Sequence, residues 1–218
     1  MTNHGLSMAT GTDGTHREPS RRTLLRNGLL LAAGAMAVVT APVLTGAGPA
    51  RAAVAGQGTQ PQWSWCQYCQ SLFYGPFQGN SFCPGLSPTG RHSVGTRNYL
   101  LLYGYASVDN DGYGQQADWN WCFMCQALFY GPFQGNSVCP APAAAGGNHN
   151  GAQSYSYDMV WGEPFPGEIF VGGSFQNGWL WCDKCMGTFY GPFQGNSACP
   201  AGDTHNGSES RTYDVNFT

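Results

Sequence analysis

The nine cysteines of this 218-residue chain fall into three groups of identical internal spacing. Cys66, Cys69 and Cys83 form the first, Cys122, Cys125 and Cys139 the second, and Cys182, Cys185 and Cys199 the third. Each group reads Cys-x2-Cys-x13-Cys-Pro, and one histidine follows each: His92, His149 or His205. Two cysteines at this close spacing share one tight knuckle and reach a single ion together. A third thiolate and an imidazole then complete a tetrahedral set, a soft N/S donor set that suits zinc. The pattern therefore predicts three zinc ions. One is held by Cys66, Cys69, Cys83 and His92, one by Cys122, Cys125, Cys139 and His149, and one by Cys182, Cys185, Cys199 and His205. The histidines are less regular than the cysteines, because 8, 9 and 5 residues separate them from the last cysteine of their group.

Disulfides are the natural alternative in an exported protein. Three cysteines per group, however, leave one unpaired in each, and nine leave one unpaired overall. A Cys-x-x-Cys oxidoreductase needs a βαβ setting, which the sequence does not offer. Catalytic zinc keeps one ligand position open for water, whereas three cysteines and a histidine close the site. No His-Glu-x-x-His, Gly-x-Ser-x-Gly or phosphate-cradling glycine loop occurs anywhere. The expected role is therefore non-enzymatic, a binding or structural one. The alternative is a secreted thiol-redox or zinc-dependent enzyme.

The elements that must position these ligands are strands. There are 32 glycines and 14 prolines, and no long segment carries a 3.6-residue apolar period. Each cysteine group is entered through Trp-x-Trp: Trp63 and Trp65, Trp119 and Trp121, Trp179 and Trp181. That alternation puts both rings of a pair on one face of a strand. Leu72-Phe73-Tyr74 reads as the next strand, with Gly75-Pro76 and Gly79-Asn80 as turns. Further strands are expected at Tyr99–Tyr103, Tyr155–Trp161 and Tyr213–Phe217. Asp109-Asn110-Asp111-Gly112 reads as a turn, since Tyr113 and Asn120 stand where a calcium loop needs oxygen ligands. The expected fold is all-β, with a lead-in at 53–62 and repeats at 63–118, 119–178 and 179–218.

Units of this size bury too little surface to be secure alone. Two arrangements follow. Tyr213-Asp214-Val215 pairs with Trp63-Ser64-Trp65 and closes a pseudo-threefold, β-trefoil-like ring, or the modules sit as beads on a string.

Residues 1–52 read as an export signal. Arg21-Arg22 is a twin-arginine pair, an apolar run from Leu29 to Val43 follows, and Ala50-Arg51-Ala52 is a small-x-small cleavage site. The run is too short to span a bilayer. Twin-arginine systems carry folded proteins, so zinc can be loaded in the reducing cytosol, and the expected destination is extracellular with no membrane span after cleavage. Beyond residue 52 the only basic residues are Arg91, Arg97, Lys184 and Arg211, against ten acidic ones. Nucleic-acid binding needs clustered Lys and Arg, so it is not expected.

Phe73-Tyr74-Gly75-Pro76-Phe77-Gln78-Gly79-Asn80-Ser81 recurs letter for letter at 129–137 and 189–197. The phenylalanines, Phe73 and Phe77, are expected to fill the module core. Tyr74, Gln78, Tyr130, Gln134, Tyr190 and Gln194 are the candidate ligand-binding residues, suited to stacking on sugar rings and hydrogen-bonding hydroxyls. The expected partner is a polysaccharide or another cell-surface component, with repetition supplying avidity.

The cysteine pattern resembles a zinc ribbon, in which two knuckles hold one zinc, over about 20 to 40 residues of each repeat. It departs from the ribbon in its second pair of ligands, which are spaced far more widely than a knuckle. The whole unit, Trp-x-Trp-Cys-x2-Cys-x2-Leu-Phe-Tyr followed by Cys-Pro, His and a tyrosine strand, is similar to tandem repeats of secreted bacterial and fungal proteins. Met186, Gly187 and Thr188 depart from that pattern in the third repeat. The resemblance implies three zinc-ribbon-like modules and an extracellular setting, and it implies no activity.

Overall fold

The computed structural model describes residues 56–110, 112–142, 147–162 and 173–218, so the expected export signal lies outside the described residues. One three-stranded unit occurs three times. The first comprises β1 (Gly58–Trp65), β2 (Leu72–Tyr74) and β3 (Tyr99–Tyr103). A short strand, β4 (Val108–Asn110), forms a hairpin with the first strand of the second unit. That unit comprises β5 (Tyr113–Trp121), β6 (Leu128–Tyr130) and β7 (Tyr157–Trp161). The third comprises β8 (Ser174–Trp181), β9 (Thr188–Tyr190) and β10 (Tyr213–Phe217). All pairings are antiparallel, and the protein is all-β apart from short 3-10 segments.

Within each unit the Trp-x-Trp strand is central. Trp63 lies opposite Tyr74 on one side and Tyr99 on the other. Trp119 takes the same place between Tyr130 and Tyr157, and Trp179 between Tyr190 and Tyr213. A register shift interrupts the pairing of this strand with the tyrosine strand in every unit. The irregularity turns at a left-handed residue: Gln62 at φ 73°, Asp118 at φ 68° and Gly178 at φ 99°. Bulges of this kind add twist, and here they precede the tryptophan that enters the core.

The three units form a single body. Leu102 and Tyr103 of β3 pair with Asp158 and Tyr157 of β7. Val160 of β7 pairs with Asp214 of β10, and Asn216 and Phe217 of β10 pair with Leu100 and Tyr99 of β3. The second half of each tyrosine strand thus pairs with the first half of the next, around a pseudo-threefold axis. A second cycle joins the short strands: Phe73 bridges Ala127, Phe129 bridges Gly187, and Phe189 bridges Ser71. Its hydrogen bonds are matching, each 2.9 Å long, from the backbone N–H of Tyr74, Tyr130 and Tyr190 to the carbonyls of Gln126, Met186 and Gln70.

The expected pairing of Tyr213–Val215 with Trp63–Trp65 does not occur. Both edges of the Trp-x-Trp strand are already taken by partners of its own unit, so the free edge of β10 goes to β3 and β7 instead. Among the described residues the sheet stays open, running from β2 at one edge to β4 at the other, without closing into a trefoil barrel. Beads on a string are excluded as well. Trp63, Trp119 and Trp179 are fully buried in one core with Tyr99, Tyr157, Tyr213, Leu101, Met159 and Val215.

Thr188 and Asp158 are among the buried positions that break the polarity rule of such a core. Thr188 stands where the other units have Leu72 and Leu128, and its hydroxyl is buried without a partner among the described residues. A buried hydroxyl without a hydrogen bond costs about 1–3 kcal/mol. Thr188→Val keeps the shape and removes that cost, so it should raise the melting temperature by a few degrees in a thermal scan. Asp158, on the opposite face of its strand, is also buried, and burial pushes its carboxyl up to about 7. A carboxyl raised in the folded state stabilises the fold at acid pH, and this contribution is lost as pH rises toward 7. Asp158→Asn should therefore raise the melting temperature at pH 8 and change it little at pH 4.

Candidate metal centres

The knuckle of each site is the loop of the hairpin between the Trp-x-Trp strand and the short strand. In the first unit the Cys66 N–H donates to the Ser71 carbonyl at 3.0 Å, and the Gln70 N–H to the Cys66 carbonyl at 2.8 Å. Gln70 closes the turn with φ 69°, as do Gln126 at 72° and Met186 at 64°. The side chain of Gln70 is buried and accepts from the Trp65 indole N–H at 2.9 Å while donating to the Gln67 carbonyl at 2.8 Å. Gln126 repeats this with Trp121 and Phe123. Met186 offers no amide, and the Trp181 indole nitrogen is buried without a partner among the described residues. This bracing glutamine was not part of the sequence reading. Its signal was available, since it follows the second cysteine in two units of three.

The second pair of ligands does not come from a second hairpin knuckle, as it would in a zinc ribbon. After the short strand the chain enters a 3-10 segment, Gly75–Asn80, with Pro76 in its first turn, where the missing N–H is no loss. Gly131–Asn136 and Gly191–Asn196 are its copies. Each delivers a buried serine that fixes the histidine. Ser81 Oγ donates to the Gln78 carbonyl at 2.7 Å and accepts from the His92 N–H at 2.9 Å. Ser137 and Ser197 hold His149 and His205 in the same way, at 2.8 and 2.9 Å. The histidine ring then stacks on the unit's buried phenylalanine, with centroids 4.7 Å apart for Phe73 and His92 and 4.8 Å for Phe129 with His149 and Phe189 with His205. The unequal loops between cysteine and histidine therefore end at one geometry, because the serine and the ring set the endpoint.

All three predicted ligand sets are assembled, and within each the four ligand atoms lie within 4.8 Å of one another. Cys66 and Cys83 Sγ are 3.8 Å apart, and their counterparts 3.9 Å. Cys69 Sγ lies 3.3 Å from His92 Nδ1, and the equivalent distances are 3.4 Å. Zinc–sulfur bonds of about 2.3 Å at tetrahedral angles separate sulfurs by about 3.8 Å, so the residues fit the ion. No disulfide joins any of the nine cysteines. One backbone N–H also points at the first thiolate of each site: that of Ser93, Asn150 or Asn206, each at 3.4 Å.

Packing three thiols together splits their acidities. Cys66 is held well below the usual thiol range by hydrogen bonds from Cys69 and then Cys83. Cys69 is pushed far up, chiefly by burial, and Cys83 rises to about 12, chiefly through Cys66. The other two sites repeat the split. Negative charge on one sulfur makes the next hard to ionise, and only a cation at the centre allows three thiolates to coexist.

The candidate ligand-binding residues are placed differently. Tyr74, Tyr130 and Tyr190 are half-buried against the shared core. Gln78 Nε2 donates to the His92 carbonyl at 2.9 Å, and Gln134 Oε1 accepts from the Gly151 N–H at 3.0 Å. Gln194 is half-buried in the matching turn. Phe73 is fully buried as expected, but Phe77 is not a core residue. It is 44% exposed, as are Phe133 and Phe193, because the 3-10 segment carries it outward. No protein-family model, curated protein or solved structure matches this chain.

Structural zinc supplies about 10–16 kcal/mol to small metal-dependent folds, comparable with the whole stability of a domain at about 5–15 kcal/mol. Native mass spectrometry should therefore find three zinc ions and nine free thiols, and a strong chelator should abolish the near-ultraviolet tryptophan signal. Cys125→Ser should lower the zinc count to two.

Proposed function

We propose that this is a secreted, non-enzymatic, zinc-stabilised repeat protein with a binding or structural role in the extracellular space. The observation that carries the reading is the closed ligand set, three cysteines and one histidine in every unit with eleven of the twelve residues buried and Cys83 half-buried. Such a set leaves zinc no open position for water or substrate, which supports a structural role for the metal.

The twin-arginine pair Arg21-Arg22 and the apolar run after it support the extracellular half of this reading. A zinc protein that folds in the cytosol crosses the membrane with its thiolates already capped, so the oxidising exterior finds no free thiol to couple. A binding role is supported by the 3-10 segments. None of their residues is buried, yet all six are identical in the three units. Close contacts account for the first glycine of each segment, where an added Cβ would meet a neighbouring atom at 2.9 Å or less, but burial does not account for the identity of the exposed positions.

The test is an export assay with metal analysis. Replacing Arg21 and Arg22 by Lys should leave the protein in the cytosol, folded and carrying three zinc ions. Normal secretion of this double variant, or export as an unfolded chain that acquires disulfides outside, would overturn the reading. So would hydrolase or oxidoreductase turnover by the three-zinc protein.

A further inference from the structure

Three aromatic stacks lie between the units. The exposed phenylalanine of each 3-10 segment leaves its own unit and stacks on the second tryptophan of the next. Phe77 meets Trp121 at 5.6 Å and 28°, Phe133 meets Trp181 at 5.8 Å and 31°, and Phe193 meets Trp65 at 5.8 Å and 29°. Behind each stack stands the half-buried tyrosine: Tyr74, Tyr130 or Tyr190, edge-on to the same tryptophan. The floor is polar. Tyr157, Tyr213 and Tyr99 donate their hydroxyls to Gln60, Gln116 and Gln176 of the neighbouring unit. The seams of the pseudo-threefold body therefore carry one repeated constellation of a Phe–Trp platform, two tyrosines and a glutamine amide.

Two of the seams open into clefts. The seam between the third and first units holds about 390 Å³, bounded by Trp65, Thr96, Arg97, Gln176, Tyr190 and Phe193. The seam between the second and third holds about 170 Å³, with Tyr130, Phe133, Trp181 and Arg211 on its wall. In the remaining seam Tyr155 occupies the place of Arg97 and Arg211. It stacks on Tyr103 at 4.6 Å, as those arginines stack on Phe217 and Trp161 at 4.3 and 4.4 Å.

We infer that these seams are carbohydrate-binding sites, three per molecule. The inference rests on the binding half of the proposed function and names its site and ligand class. A pyranose ring offers an apolar C–H face and a rim of hydroxyls, and a seam offers an exposed aromatic platform beside hydroxyl and amide groups. The hydroxyls of Tyr74, Tyr130 and Tyr190 have no hydrogen-bond partner among the described residues, and Tyr190 lines the cleft between the third and first units together with Tyr99. An anionic polymer would need clustered cations, and Arg211 is already paired with Asp109 at 2.8 Å. Three weak sites on one rigid body favour a particulate polymer over a free sugar, because the second and third engagements occur at high effective concentration.

The experiment is a depletion assay with the zinc-loaded protein on insoluble cellulose, chitin and bacterial peptidoglycan. Phe77→Ala, Phe133→Ala and Phe193→Ala are tested singly and together, and zinc content and melting temperature report whether each variant is folded. Thr96→Trp serves as a second probe: it fills the larger of the two seam clefts from an exposed rim position. At least one polysaccharide should retain the parent protein. Each single Phe variant should weaken retention by about tenfold, the triple variant should abolish it, and Thr96→Trp should act like one lost site. Added salt should change retention little, as neutral contacts are not screened. A folded triple variant that binds as the parent does would overturn the seam assignment and leave the binding role standing. Loss of binding on Gln134→Ala alone would do the same, since it would place the site in the turn of one unit. Retention that collapses in 0.5 M salt would overturn the neutral-sugar assignment. Failure of the parent to bind any of the three polymers would overturn the binding role itself, and the seam sites with it.

Discussion

Three thiolates cannot crowd into one dry pocket without a cation among them, and the rest of this structure is arranged around that constraint. Burial and mutual repulsion make two sulfurs in each site harder to ionise, with raised pKa values, while the pKa of the third is held low. The zinc that resolves this conflict ties the hairpin knuckle to the loop bearing the last cysteine and the histidine. It thereby fixes the short strand, the 3-10 segment and the start of the tyrosine strand. Without that tie each unit is a three-stranded sheet with one large tryptophan to bury, too little apolar surface for an independent fold.

The second requirement is met between units. Each tryptophan of the first Trp-x-Trp position packs edge-on against the tyrosine of the next unit. Trp63 and Tyr157 are 5.0 Å apart, Trp119 and Tyr213 are 5.4 Å, and Trp179 and Tyr99 are 5.3 Å. Metal and core divide the work: zinc holds each unit's periphery, and the aromatic cluster on the pseudo-axis holds the units to one another. The two cyclic sets of strand pairs complete the arrangement, because every unit offers an edge that only its neighbour can satisfy. The same geometry leaves the second tryptophan and the 3-10 phenylalanine at the seams, where their faces are not fully covered.

The third unit shows how far the repeat tolerates change. Met186 withdraws the amide that braces the knuckle elsewhere, and Thr188 places a hydroxyl where leucine packs in the other units. Both leave a buried polar group without a partner among the described residues, yet the ligand geometry matches that of its siblings to within 0.1 Å. The site is thus set by backbone hydrogen bonds of the knuckle and by Ser197, which do not depend on those two side chains.

The sequence by itself determined the chemistry and the local elements. Identical cysteine spacing, in odd-numbered groups each followed by a histidine, specifies the metal sets, because ligand identity and knuckle spacing are local properties of the chain. The alternation of Trp63 with Trp65 and the run Leu72–Tyr74 specify strands for the same reason. Only the tertiary structure decided the rest. The histidines are brought to one geometry by Ser81, Ser137 and Ser197, a long-range bond that loop lengths cannot reveal. Which strands meet around the axis depended on which edges remained free once each Trp-x-Trp strand was flanked on both sides. That is a property of the assembled sheet, and it replaced the expected pairing of the first and last strands. Phe73 and Phe77, four residues apart on one repeated segment, divide between core and seam because the intervening 3-10 turn rotates one of them outward.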